Sequence, residues 1–140
     1  MKEIKTIPNL KKRFLSALID YSIVFGFFHA YVRTFGIETV DGSYEVTGFP
    51  ALIPVVFWFL YIVLLEVFYG ATIGNSIVGL KPVSLTNQNG ELSFSQSIKR
   101  HLLDPIDMFP FGLIGIITIS NTEKNQRLGD LWAKTVVINK

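Results

Sequence analysis

The sequence predicts an all-α membrane protein with two transmembrane helices, a further membrane segment that either re-enters or crosses, and a small cytoplasmic β element. Three observations predict this. Of 140 residues, 49% are hydrophobic and only 17% charged, against roughly 25% charged in an average soluble domain. Two apolar runs approach the roughly 20 residues that carry a helix across about 30 Å of hydrocarbon. Lysine and arginine collect on what becomes one face of the bilayer, the sign of a cytoplasmic flank. The length suits a single domain, residues 1–140.

The composition also excludes classes of function. A formal charge of +2 is too small to argue for nucleic acid. Without cysteine there is no disulfide framework, thiolate metal site or thiol catalysis. The first apolar stretch follows a basic N-terminus, as a signal peptide would. It contains Asp20 and lacks a small-x-small cleavage site, so it is expected to stay in the mature protein.

Taken in chain order, Phe14 to Val32 forms the first span of 19 residues, with Asp20 its sole charge. Val46 to Leu65 holds 20 residues without a charge and is the strongest span. The spans are placed at about residues 14–32 and 49–69. Met108 to Thr122 holds 15 uncharged residues interrupted by Pro110, Gly112 and Gly115, too short and broken to cross by itself with ease. It belongs to a membrane-embedded segment at about residues 98–120.

Lys2, Lys5, Lys11, Lys12 and Arg13 against Glu3 put the N-terminus inside, and Glu38, Asp41 and Glu45 against Arg33 put the 33–48 segment outside. Lys124, Arg127, Lys134 and Lys140 then draw the tail inside, which one further crossing forbids. Two solutions stand. Ser95 to Met108 forms an interfacial helix, and Phe109 to Ile119 dips in and returns through a turn at Pro110 to Gly112, its backbone covered by protein; or the segment crosses and the tail lies outside. Leu80 to Leu85 and Thr135 to Asn139 read as short strands, and pairing them requires one common side. Asn89-Gly90 is a turn signal that returns the first strand on itself.

Asp20 is the sharpest feature. It shares a helix face with Arg13, Ala17 and Val24, and an ionised carboxylate at the bilayer centre costs about 2.5 to 3.5 kcal/mol. Six residues in from Phe14 it lies roughly 9 Å below the inner boundary, and Glu66, four residues before Gly70, roughly 6 Å below it. Arg13, Lys12, Arg100 and Arg127 are the bases expected at that level, and long arginines reach along the membrane normal. The candidate charged cluster is Arg13, Asp20, Glu66, Arg100, Asp107, Arg127 and Asp130. Three readings compete: structural ion pairs that set helix register, a protonatable or cation-binding site on a transport path, and a dock for lipid headgroups or a partner.

Other motifs fail. Gly70-Ala-Thr-Ile-Gly74-Asn75-Ser76 is one residue short of a phosphate-binding loop and has Asn75 where the lysine must stand. His29 and His101 are lone, without metal-site spacing. No Ser-His-Asp set or glycosidase carboxylate pair emerges, so no enzyme and no cofactor are expected. Tyr44, Trp58, Tyr61, Tyr69 and Trp132 read as interface anchors or packing.

Three segments then fall into a recognisable order. They are Lys12-Arg13-Phe-Leu-Ser-Ala17-Leu-Ile19-Asp20; Gly70-Ala-Thr-Ile-Gly74-Asn75-Ser-Ile-Val-Gly79-Leu80-Lys81-Pro-Val83; and Gln126-Arg127-Leu-Gly-Asp130-Leu-Trp-Ala133-Lys-Thr135-Val136-Val137. With Arg100, Asp107 and Pro110 before the last apolar region, and Glu66 where an acidic residue is frequent, the set resembles the RDD family of prokaryotic membrane proteins from Lys12 to Ile138. Asn75 stands for the family's usual lysine and Ile73 for its proline, so any role of that lysine is absent here. The resemblance implies a prokaryotic inner-membrane, multi-pass protein; some members of the family look like cation/proton antiporters. The expected function is transport of a cation and proton, or of a small solute, through the charged cluster. The alternative is a non-transporting accessory or assembly subunit of a larger membrane complex. The expected partners are the lipid bilayer and further copies or other subunits.

Overall fold

The computed structural model describes residue 4 and residues 6–140; Lys2, Glu3 and Lys5, which enter the charge argument for the N-terminus, lie outside the described residues. Helix α1 spans Leu10–Phe35, 26 residues, about 39 Å at 1.5 Å per residue. It ends at Gly36, whose N–H returns to the Val32 carbonyl. A two-residue hairpin follows, β1 (Ile37–Glu38) against β2 (Tyr44–Glu45), where the sequence suggests only a loop. Asp41 orders its turn by accepting from the Ser43 hydroxyl at 2.9 Å, and Arg33 lies over the Tyr44 ring at 4.4 Å.

Helix α2 runs Phe49–Tyr69. Pro50 and Pro54 sit in its opening turns, where a missing N–H is cheapest. Its middle, Phe59–Leu64, is wound as a π-helix. Such a widening re-aims backbone carbonyls, and the Val63 carbonyl here accepts from the Ser97 hydroxyl at 3.3 Å. Both α1 and α2 are long and apolar enough to cross a membrane. They stack through Phe27 on Phe57, centroids 3.8 Å apart, and within α2 Phe57 stacks in turn on Tyr61 at 5.7 Å. Phe25, Phe49 and Phe68 face outward with at least 65% of their surface exposed, an arrangement suited to lipid contact.

Short α3 (Ile73–Val78) packs across α1. A Cβ on Gly74 would stand 2.3 Å from the Ser16 carbonyl oxygen, so only glycine permits the crossing. Strand β3 (Leu80–Ser84) pairs antiparallel with β4 (Thr135–Asn139), from Leu80 opposite Asn139 to Ser84 opposite Thr135. The two segments read as strands are thus strands, and they pair with each other. Asn89-Gly90 does bend the chain back, with the Gly90 carbonyl accepting the Ser84 N–H at 2.9 Å, but it builds no second strand of its own.

The expected interfacial helix from Ser95 to Met108 is two helices, α4 (Phe94–Leu102) and α5 (Asp104–Asp107), broken at Leu103 with Pro105 in the first turn of α5. Ser93 and Gln96 form a capping box on α4. Gln96 also donates to Ser84 Oγ at 2.9 Å and to the Ala133 carbonyl at 3.0 Å, tying α4 to the sheet and to the segment before β4. The chain turns at Phe111 and Gly112, both at positive φ, into α6 (Leu113–Asn121). At nine residues α6 is about 14 Å long, short of the roughly 30 Å of hydrocarbon. Helix α7 (Leu128–Ala133) leads through Lys134, at φ 55°, into β4.

Candidate functional site: a buried charge cluster

The N-terminal half of α1 and the C-terminal end of α2 converge with α4, α5 and α7 on a set of buried ionisable side chains. Glu66 and Asp130 are fully buried and Arg100 is 2% exposed. Burying such charges is costly unless each is paired and hydrogen-bonded. Arg100 bridges the two acids: Nε donates to Glu66 Oε2 at 3.3 Å, and Nη1 binds Asp130 Oδ1 and Thr135 Oγ1, the latter at 3.1 Å. Arg13 reaches the other Asp130 oxygen at 3.2 Å and the Asn125 carbonyl at 2.8 Å. Glu66 Oε2 also accepts from Ser97 Oγ at 2.7 Å and faces His101 Nε2 at 3.2 Å. Its Oε1 is buried without a partner among the described residues.

The other ring nitrogen of His101 lies 2.7 Å from Asp104 Oδ2. That oxygen also accepts from the Tyr21 hydroxyl at 2.6 Å, and Arg127 Nη1 approaches Asp104 Oδ1 at 2.5 Å. With a carboxylate on each side, the imidazole favours its doubly protonated form. Burial works against that charge, but Glu66 and Asp104 outweigh it and raise the His101 pKa to about 9. Burial likewise opposes ionisation of Asp104, which Arg127 and His101 nonetheless hold well below the usual carboxylate range. Asp130 is depressed against its own burial by Arg100, Arg127 and Arg13. With His101 charged, the cations Arg13, Arg100, His101 and Arg127 balance the carboxylates Glu66, Asp104, Asp107 and Asp130.

Asp107 does a different job. Its oxygens accept the N–H groups of Leu128 and Gly129, each at 3.0 Å, and so cap α7. Burial pushes its pKa up, with Arg127 as the main opposing influence. Gly129 makes this start possible, since a Cβ there would stand 2.4 Å from the Arg100 carbonyl oxygen.

Six of the seven residues singled out from the sequence are thus in one network. Asp20 is not. The expected basic neighbours do not neutralise it; it accepts from Thr72 Oγ1 at 2.6 Å, the Gly74 N–H at 2.8 Å and Tyr61 OH at 3.2 Å. The reason is steric: Gly74 lets the start of α3 settle against α1, so neutral donors reach the carboxylate first. Lys12, another expected neighbour, turns to Asn139 at 3.2 Å. Asp20 does share a cavity of about 90 Å³ with the network, opposite His101, Asp104 and Arg127.

His101, read from the sequence as lone, is central, and Asp104 was not singled out. The signal was present: His101, Asp104 and Asp107 recur at intervals of three, a spacing that places neighbours on one helical face. Among the described residues, no group of three or more His, Cys, Asp or Glu is placed to hold a metal ion.

The model of the RDD family matches residues 7–134, nearly the whole chain. No curated protein and no solved structure matches it. With two helices long and apolar enough to cross a bilayer and the family's model matched over nearly its whole length, the chain is a membrane protein that belongs to the RDD family.

Proposed function

We propose that this is a multi-pass, non-enzymatic protein of the prokaryotic inner membrane, with its N-terminus in the cytoplasm, that exchanges protons for a cation or small solute. The observation that carries this reading is the position of Asp20. It faces a cavity of about 90 Å³, room for several water molecules, and its hydrogen-bond partners are all neutral. It can therefore gain or lose a proton, or admit a cation, without breaking an ion pair. His101 and Asp104 on the opposite wall provide a second titratable centre.

Orientation is supported by Lys11, Lys12 and Arg13 at the start of α1 and by Glu38, Asp41 and Glu45 in the hairpin beyond its far end. The pairing of β3 with β4 supports a re-entrant course for α5 and α6, because hydrogen-bonded strands lie on one side. The chain between them then crosses an even number of times or not at all.

A specific observation favours a second reading. One cavity of this size does not extend through about 30 Å of hydrocarbon, and the cluster balances its own charges. Transport therefore calls for several copies or a partner, and an accessory or assembly subunit would need no conduit. The test is cation-driven proton flux in proteoliposomes loaded with a pH dye and challenged with Na⁺, K⁺ or Li⁺. Flux that disappears in Asp20→Asn supports transport. No flux with any cation, from protein that is folded and oriented, rejects it, and a co-purifying membrane protein would then support the accessory reading.

A further inference from the structure

An apolar groove of about 480 Å³ runs along the outer side of the molecule between α1 and α6. Phe14, Leu18 and Phe25 form one wall, and Phe111 and Ile116 the other. Arg13 and Arg127 line it as well, with the single carboxylate of Asp107 beside them. From Arg13 to Phe25 the helix rises about 18 Å at 1.5 Å per residue, close to one leaflet of a hydrocarbon core about 30 Å thick. A cationic end and an apolar length of one leaflet match an amphiphile rather than a second protein helix.

The arginines have capacity to spare. Among the described residues Arg13 Nε has no acceptor, and the Arg13 and Arg127 side chains keep 12% and 16% of their surface exposed. Arg127 Nε stands 3.9 Å from both Asp107 and Asp130, beyond hydrogen-bonding reach. The Asp107 oxygens are already occupied by the backbone of α7. Two guanidinium groups with unspent donors at the membrane boundary suit a phosphate diester.

We infer that this groove is a binding site for one acyl chain of an anionic phospholipid, whose phosphate lies against Arg13 and Arg127. The groove adjoins the cavity at Asp20, with which it shares Arg13, Ala17, Tyr21, Met108, Ile119 and Arg127, but lipid occupancy does not depend on whether the protein transports anything. The lipid fills the gap between α1 and α6, which are not otherwise closed on one another along this face, and it couples the start of α7 to the surrounding membrane.

The test uses the full chain purified in mild detergent and supplied with phosphatidylglycerol or phosphatidylcholine of identical acyl chains, with retained lipid counted by native mass spectrometry. Phosphatidylglycerol should be retained over phosphatidylcholine by roughly thirtyfold, the scale expected of two arginines at the membrane surface. Leu18→Trp fills the groove without touching the ion pairs and should abolish that preference. Arg13→Gln should reduce it where the variant folds, and Leu18→Trp decides the matter where it does not. Equal retention of the two lipids, or a preference unchanged in Leu18→Trp, overturns the inference. So does displacement of the lipid by inorganic phosphate alone, which would mark an anion site without a chain. A dimer that dissociates in Leu18→Trp would show the groove covered by a second copy, and overturns it too.

Discussion

His101 Nε2 meets Glu66 Oε2 at 3.2 Å, joining α4 to the C-terminal end of α2 through two buried groups. Since its opposite nitrogen meets Asp104, the ring holds its proton more tightly in the folded protein, at about 9 against 6.5 for the free side chain. The resulting stabilisation is complete below pH about 6.5 and disappears as pH rises through about 9. Thermal unfolding in detergent should show wild-type protein losing stability over that interval. His101→Gln should be less stable at pH 6 and should lack that loss; parallel pH profiles for the two proteins would refute the assignment.

Gly74→Ala tests the crossing of α1 and α3. Its new methyl would stand 2.3 Å from the Ser16 carbonyl oxygen and 2.7 Å from Asp20 Oδ2, so the start of α3 must move away. A loss of roughly 1–3 kcal/mol is expected, measured by thermal or denaturant unfolding. Thr72→Val removes one donor to Asp20 and should cost about 1–3 kcal/mol through an under-satisfied buried carboxylate.

Arg100→Met should be the most damaging single change in the cluster. It leaves Glu66 and Asp130 buried without their shared cation, a loss on the order of 3–5 kcal/mol. Arg100→Lys keeps the charge but cannot span both acids and Thr135 as the guanidinium does, so it should recover only part of the stability. Yield of monodisperse protein and its melting temperature, compared across the two variants, check the ranking.

Tyr21→Phe removes the hydroxyl that donates to Asp104 at 2.6 Å. The expected cost is about 1.5–3 kcal/mol, the scale of a hydrogen bond to a charged group. Asp104 keeps Arg127 and His101, so the fold should survive, and an unchanged melting temperature would contradict the contact.

The two long helices were legible because apolar length alone dictates them, and the pairing strands because β-branched residues cluster at Thr135 to Ile138. The partners of Asp20 were not. Helical spacing puts Arg13 on its face, but no local pattern shows that Gly74 will bring a backbone N–H within 2.8 Å from a distant segment. The π-wound turn at Phe59–Leu64 also leaves no mark in an apolar run, since the carbonyl it offers is matched by Ser97 from another helix. His101 looks lone in the sequence because its partners lie on other helices, Glu66 on α2 and the second past the break at Leu103. One of them, Asp104, lies only three residues on.

The two buried carboxylates of the spans acquire their partners at different times in the life of the chain. Asp20 receives donors from Tyr61, Thr72 and Gly74, so it can be secured once the first half has been made. Glu66 depends on Ser97, Arg100 and His101, and Arg100 on Asp130 in turn. Synthesis proceeds from the N-terminus, so α2 is laid down with a bare acid near its C-terminal end while its counter-charges are still unmade. Membrane insertion therefore has an early latch and a late one, and a nascent chain halted between them would carry Glu66 without its counter-charges, protonated or exposed to water.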